Sequence, residues 1–203
     1  MFTKAKLAFA AFIAFIVLAS CNSNQKSNDA ITNSGVETDV AIAQNAVING
    51  YVKIGDSISK AAFLHLSSKL KSVIDTGGFA QAVSFCSVEA LPLTQQIADK
   101  YDVKIQRIAQ KYRNPFNKPN ANDKLVIDDF TNSTAPVVIE SDKAFTYYKP
   151  IGTKGLCLNC HGIKGKTLNE DALTAIAQKY PMDNAIGFNE GDLRGAWKIT
   201  FKR

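Results

Sequence analysis

Apolar residues recur at helical spacing through the first part of the chain. From about Val40 to Ile74 they fall on one face of a helix, because residues three or four positions apart share a face. Gly77 and Gly78 are predicted to end this helix. A second helix is expected through Cys86, with a break at Pro92 before it resumes toward Tyr101. The residues that define the first apolar face are Ile54, Ile58, Ala62, Leu66 and Leu70.

Later segments alternate between apolar and polar residues, as half-buried strands do. Strands are predicted at about 103–109, 136–141, 143–150 and 195–201, with a tight turn at Ser141-Asp142. Helices are predicted at about 121–131 and 169–180. Two prolines and several asparagines at 113–120 predict an irregular turn region. Helices first and an antiparallel sheet later indicate an α+β fold.

The N-terminus has the pattern of an export signal. Lys4 and Lys6 precede an apolar run over 7–19, which is shorter than the roughly 20 residues of a spanning helix. The sequence Leu-Ala-Ser-Cys that ends at Cys21 resembles a bacterial lipobox, so residues 1–20 are predicted to be a lipoprotein signal peptide and Cys21 the lipidated residue. The alternative is an ordinary cleaved signal with Cys21 incidental. The lipobox places the protein in the cell envelope, anchored by lipid on the periplasmic face of a bacterial membrane.

Residues 21–39 are predicted to form a flexible tether, because they are rich in Asn, Ser, Asp and Thr and offer little apolar surface to bury. Residues 40–203 have the length and apolar content of one domain. The formal charge is +6, and it falls to +4 once Lys4 and Lys6 are removed with the signal. Such a modest charge does not imply a nucleic-acid partner.

Cys157-Leu-Asn-Cys160-His161 has the C-x-x-C-H spacing of a c-type haem attachment site. Two thiols separated by two residues reach the two vinyl groups of haem, and the adjacent imidazole reaches one face of the iron. A zinc site would need further ligands at close spacing, and a thioredoxin-like pair should follow a strand in a βαβ unit. The pattern therefore predicts one covalent haem c.

Cys86 is left without an assigned role once lipid and haem take the other three cysteines. Its surroundings fit a buried helix face, so a structural cysteine is the simpler interpretation of this segment alone. A haem iron, however, has a second face that needs a ligand, a solvent molecule or an open pocket. His65 on the first helix and Met182 are rival ligands for that face. Arg113 is either a partner of a haem propionate or a solvated loop charge.

The domain resembles the PAS-like c-type haem family, which is found alone or as the exported sensor portion of bacterial signalling proteins. The resemblance covers nearly all of the mature domain and implies a PAS-like α+β fold, with a long N-terminal helix and an antiparallel sheet against which the haem packs. It further implies that Cys86 is the second axial ligand opposite His161, and that the thiolate lowers the reduction potential. The motifs that carry it are Phe85-Cys86-Ser87-Val88-Glu89-Ala90, Arg113-Asn114-Pro115 with Asn117 and Pro119, the segment Cys157–Gly162, and the ending Tyr180-Pro181-Met182-Asp183-Asn184-Ala185 with Gly187-Phe188 and Gly191–Ala196.

Two functions follow from this pattern as expectations. One is an electron carrier that exchanges electrons with a redox partner protein, and the other is a redox or gas sensor in which NO displaces Cys86 and a signalling partner receives the change. The alternatives are a haem enzyme such as a peroxidase, or a small bis-histidine or His/Met cytochrome c. An enzyme is disfavoured, because the sequence offers no distal histidine for acid-base chemistry except His65.

Overall fold

A computed structural model describes the backbone of residues 34–203 and the side chains from residue 41 onward. The predicted signal peptide, the lipidation residue Cys21 and most of the predicted tether lie outside these residues. The structure contains one long, bent helix, a four-stranded sheet and three short helices. The elements are α1 Ser34–Lys100, β1 Lys104–Ile108, a 3₁₀ turn Pro115–Asn117, α2 Ala121–Asp129, β2 Val137–Ser141, β3 Ala144–Gly152, α3 Gly155–His161, α4 Glu170–Lys179 and β4 Leu193–Lys202.

Helix α1 folds back on itself at Gly78, which has φ of 71° and ψ of −171°. Only glycine adopts this conformation without strain, so the bend divides the helix into a first arm, residues 34–77, and a second arm, residues 79–100. The arms contact each other where Leu66 packs against Ala90 and Leu93. The prediction that Gly77-Gly78 ends the first helix is thereby confirmed.

Two details of α1 differ from the sequence prediction. The described residues are helical from Ser34, the first of them, so helix extends into the segment predicted as tether, because extending an existing helix costs far less than starting one. The second arm continues through Pro92 without a break. Proline removes one N–H bond to the residue four positions earlier, and that residue, Val88, is 66% exposed, so water can solvate its carbonyl.

The sheet is antiparallel throughout, with strand order β1-β4-β3-β2. β2 and β3 form a hairpin in which Ser141 pairs with Ala144, and the long strands β3 and β4 pair along most of their length. All four predicted strands are confirmed, and the α+β class with them.

One face of the sheet packs on the first arm of α1. Alternation along the strands brings Tyr147 and Ile199 to this face, where Ile58 of the helix covers them. We call the buried set Ile58, Phe145, Tyr147, Ile199 and Phe201 the sheet core. The other face is covered in part by α2, whose Ile127 packs with Phe130, Ile108, Tyr148 and Ala196.

Helix α4 packs on the start of the second arm. Its residues Ala172 and Ile176 are buried against Val83, and Asn169 caps the helix by accepting a hydrogen bond from the Ala172 N–H. This packing places the second arm, the C-x-x-C-H segment and the loop after α4 side by side. Within the part of the chain that the structure describes, no helix is both long enough and apolar enough to cross a membrane.

Candidate functional site

The C-x-x-C-H segment forms the short helix α3, which begins just after the sheet ends. Thr153 ties its start to β4, since both its N–H and its hydroxyl donate to the carbonyl of Asp192, at 2.9 and 2.5 Å. The helix stops at Gly162, where a side chain would collide with Thr167 and with the carbonyl of Leu158. Cys157, Cys160 and His161 therefore lie on one rigid turn.

His161 is held from the loop that follows α4. Its Nδ1 lies 2.7 Å from the carbonyl oxygen of Ala185, which fixes Nδ1 as the donor and leaves Nε2 as the basic nitrogen. The Phe188 N–H donates to the His161 carbonyl at 3.0 Å, and the Phe188 ring meets the imidazole edge-on with centroids 6.4 Å apart. Burial, together with the nearby positive charges of Arg194 and Arg113, lowers the pKa of His161 well below its usual range. The imidazole is thus neutral, which is the form that binds metals.

The thiols of Cys157 and Cys160 are half-buried and not joined in a disulfide. Burial is the main cause that raises the pKa of Cys160 to about 11; Arg113 opposes the shift, and the thiols of Cys86 and Cys157 add to it. Cys160 also packs against the buried cluster that contains Val83, which is one helical turn from Cys86, so Cys86 of the second arm lies beside the C-x-x-C-H turn. Burial likewise raises the pKa of Cys86, against the opposing effects of Arg107 and Arg113.

Arg113 connects the turn to the loop after α4. Its Nη2 donates to the Cys160 carbonyl at 2.6 Å, and its Nε donates to Asp183 at 3.0 Å. Asp183 in turn accepts the Ala185 N–H at 3.1 Å, so one relay of bonds leads from the guanidinium to the residue that orients His161. Both side chains of the ion pair are buried, at 11% and 6% exposure. The contact of Arg113 with a haem propionate stays a prediction. Because Nε and Nη2 are already engaged, that contact would use Nη1.

Two further arginines lie close to this site and were not singled out by the sequence. Cζ of Arg194 lies 5.3 Å from the centroid of the Phe188 ring, which contacts His161. We call Arg107, Arg113 and Arg194 the arginine cluster, and their positive charges lower the pKa of His161. Arg107 belongs to β1, where a charged residue in an alternating strand suggests a solvent-facing position. Because Arg107 pairs with Trp197 of β4, its side chain lies instead on the face of the sheet that α1 covers.

Neither rival axial ligand is buried at the C-x-x-C-H turn: His65 is bonded farther along the second arm, and Met182 is in the loop that holds His161 but is exposed. His65 Nε2 lies 2.9 Å from Oε1 of Gln96, which is ten residues, or about 15 Å of helix rise, beyond Cys86 on the second arm. Met182 is 81% exposed, although its neighbour Asp183 is buried. Of the candidates, Cys86 is the one that lies beside the C-x-x-C-H turn. No three His, Cys, Asp or Glu side chains of the described residues are grouped closely enough to hold a metal ion by themselves.

Comparisons with known proteins identify the family and agree with the fold. The model of the Tll0287-like family matches residues 20–201. Among solved structures, the crystal structure of the cyanobacterial haem protein Tll0287 is similar at 27% sequence identity with a TM-score of 0.55, covering 74% of this chain and 95% of that one. No curated protein matches the chain significantly.

Proposed function

This chain belongs to the Tll0287-like family, and on that premise we propose that it is a haem-binding protein that carries one covalent haem c. Cys157 and Cys160 would form the two thioether bonds, and His161 would be the first axial ligand of the iron. The relative of 27% identity is a haem protein by its title, which supports the cofactor but not its mode of attachment.

The observation that carries the proposal is the arrangement of the C-x-x-C-H turn. Two unpaired thiols and a neutral imidazole lie on seven consecutive helical residues, and Nδ1 of that imidazole is already engaged by the Ala185 carbonyl. A haem held there would supply a redox-active iron. The chain's own residues orient the imidazole: Gly162 ends the turn, and the relay from Arg113 through Asp183 to Ala185 fixes the loop against which His161 rests.

Cys86 is the residue that we propose for the opposite axial position. Its side chain is half-buried among apolar neighbours at the start of the second arm, close enough to Cys160 to affect the pKa of that thiol. Burial favours a protonated thiol, so the thiolate needed for ligation would exist because it is bonded to iron. A thiolate ligand favours ferric iron and therefore a low reduction potential.

Electron transfer is the first candidate activity. It is supported by the presence of a candidate side chain for each axial position, His161 for one and Cys86 for the other. Iron with two protein ligands changes its oxidation state without binding or releasing substrate. The electrons would pass to and from a redox partner protein.

Redox or gas sensing is the second candidate, and one feature favours it. Both predicted thioether cysteines and His161 lie on α3, whereas Cys86 lies on α1. Loss of the Cys86 bond, on reduction or on binding of NO, would leave the haem fully attached and would free the second arm to move. A potential titration of the haem spectrum with and without NO separates the two candidates, because a carrier should keep both its spectrum and its potential when NO is added.

Membrane attachment through Cys21 is part of the same proposal and rests on the lipobox-like sequence alone. Cys21→Ala should release the protein from the cell envelope or leave its signal uncleaved, because a lipid anchor rather than the domain surface provides the affinity. If this variant is cleaved normally and stays on the membrane, the anchor is elsewhere.

The direct test of the cofactor is the mass of the denatured protein from cells that possess haem-ligation machinery. The wild type should carry the mass of one haem, and the double variant Cys157→Ala/Cys160→Ala should carry none. Cys86→Ala is the matched control, because it removes a thiol from the same site yet should keep the attached haem. An unmodified wild-type mass would contradict the proposal.

A further inference from the structure

The beginning of the first arm is exposed on every side. All residues from Ala41 to Val47 are exposed, although they form about two turns of helix. Among the described residues, the one side-chain hydrogen bond from this stretch to the sheet runs from Gln44 Nε2 to Glu140 at 3.0 Å. Continuity with the rest of the arm allows this stretch to be helical, but short helices in water depend mainly on packing for their stability. Its apolar side chains therefore remain available to a partner.

A stripe of apolar and small residues runs from this stretch along the first arm with a spacing of seven residues. Val47, Ile54 and Ala61 form one series, and a second series of the same spacing lies beside it. Val47, Ile54 and Leu64 are each about half exposed, at 48%, 50% and 52%. None of the residues in the two series is charged. We call the two series together the exposed stripe: Ala43, Val47, Gly50, Ile54, Ser57, Ala61 and Leu64.

The exposed stripe lies beside the sheet-facing side of the helix and not on it. Ile48 packs against the sheet core, and Gly55 is so close to the ring of Tyr147 that a Cβ would collide with it. The residue before each of these two belongs to the stripe, Val47 in one case and Ile54 in the other. Successive residues of a helix are turned by about 100° around its axis. The stripe can therefore contact another molecule while the first arm stays packed on the sheet.

The chemistry of this part of the arm favours another helix over a lipid surface as the partner. Helices that lie on membranes carry Lys and Arg on their polar face. Residues 40–52 contain no charged residue, and the charged residues just before them are the acidic Glu37 and Asp39. A seven-residue spacing is typical of helices that wind around each other, and β-branched residues in one series, as at Val47 and Ile54, favour a parallel pair.

We propose that the exposed stripe is the contact between two copies of this chain, which form a parallel, in-register pair about a two-fold axis. A second copy brings the same uncharged stripe to the contact, so neither copy has to bury a charge. The parallel orientation rests on the membrane attachment proposed above. Cys21 precedes Ser34 by 13 residues, which span at most about 45 Å, so both helices would start near the same surface. Confinement to that surface also raises the effective concentration of each copy for the other.

Cysteine cross-linking in intact cells tests the contact on the full chain. Ala43→Cys and Ser57→Cys place a thiol at two positions of one series, so that in a parallel, in-register pair each new thiol faces its own copy. Asn45→Cys is the matched control, because Asn45 is also exposed on the first arm but lies on the side opposite to Ala43 and Val47. The wild-type chain, treated with the same oxidant, gives the background from its own thiols.

Oxidation should give a disulfide-linked dimer with Ala43→Cys and with Ser57→Cys, whereas Asn45→Cys should stay at the wild-type level. Adding Ile54→Glu to Ser57→Cys should abolish the cross-link, because two carboxylates would then face each other in the contact. Adding Ile42→Glu should leave it intact, since Ile42 is 62% exposed and lies off the stripe. If the chain with Ile54→Glu does not fold, Leu64→Glu takes its place with the same expected loss.

Absence of the cross-link at both stripe positions would overturn the proposal. So would a cross-link at only one of the two, which indicates an antiparallel pair, or an equal yield with Asn45→Cys. Fractionation of the same cells tests the anchor separately: a chain that is not on the membrane would contradict attachment through Cys21, while the cross-links would still decide the contact. A denatured chain without the mass of a haem would contradict the proposed function and leave the result of the cross-linking unaffected.

Discussion

The polar groups at the sheet core and in the arginine cluster differ in how fully they are hydrogen-bonded. In the sheet core, the Tyr147 hydroxyl donates to Asp56 at 2.6 Å, and Lys149 donates to the same carboxylate at 2.7 Å. In the arginine cluster, Asp183 pairs with Arg113 at 3.0 Å, whereas Arg194 Nε is buried and has no hydrogen-bond partner among the described residues. The polar groups of the first region are satisfied by one another, whereas the second region keeps a buried donor unsatisfied. We therefore expect substitutions in the sheet core to change stability alone, and substitutions in the arginine cluster to change the reduction potential as well.

The largest effect is expected from Asp183→Asn, which removes the carboxylate that offsets the arginine cluster. Breaking a buried ion pair costs about 3–5 kcal/mol of unfolding free energy, because a buried charge is left without its partner. Chemical denaturation measures the change. Asp75→Asn is the control, because its pair with Lys71 is exposed and contributes less than about 0.5 kcal/mol. Equal losses in the two variants would contradict the role of Asp183.

Ile199→Ala tests the sheet core. Ile199 is fully buried, so the truncation should lower the free energy of unfolding by about 2–5 kcal/mol through lost burial and the cavity left behind. The reduction potential should not change, in contrast to substitutions in the arginine cluster. Ile42→Ala provides the comparison, since Ile42 is 62% exposed and should cost less than about 0.5 kcal/mol. A potential that shifts in Ile199→Ala would remove the distinction between the two regions.

A smaller effect on stability is expected at Gly78, the bend that joins the two arms of α1. Gly78→Ala should destabilise the protein by about 1–3 kcal/mol, although its new methyl group would meet no neighbour, because the backbone conformation excludes other residues. Gly50→Ala should have the opposite sign and stabilise by about 0.5–1 kcal/mol, since Gly50 is inside the first arm with open space around it. Thermal unfolding of both variants checks the prediction, and equal signs would contradict it.

The smallest effect concerns acid stability. Hydrogen bonds from Lys149 and Tyr147 hold the pKa of Asp56 below its usual value, so this group stabilises the fold above its unfolded pKa and loses that contribution as pH falls through the folded pKa. Asp56→Asn should therefore lower stability near neutral pH and flatten its decline in acid. Denaturation curves from pH 7 to about pH 3 would show this, and curves that stay parallel to the wild type would contradict it.

The sequence predicted the elements well where local pattern decides them. The β2–β3 hairpin follows from alternation on both sides of a short polar turn, and the bend in α1 follows from Gly77-Gly78. The prediction was wrong at Pro92 and over residues 34–39, which are helical, because the continuity of a long helix outweighs the preference of individual residues.

The candidate site was predictable in its chemistry but not in its surroundings. Spacing alone singles out Cys157, Cys160 and His161, and elimination leaves Cys86. The roles of Arg107 and Asp183 depend on strand register and on a loop contact with a residue 70 positions away, which no local pattern records. Composition gave no sign that the charges of three arginines lower the pKa of the same imidazole.

The electron paramagnetic resonance spectrum of the ferric protein tests the central claim most directly, because it reports the two axial ligands of an attached haem. Wild type should show a low-spin spectrum of the thiolate type, and Cys86→Ala should lose it while keeping the covalent haem. His65→Ala and Met182→Ala should leave it unchanged. A spectrum that survives Cys86→Ala but collapses in either of the other two variants would contradict the assignment of Cys86 and His161 as the pair that holds the iron.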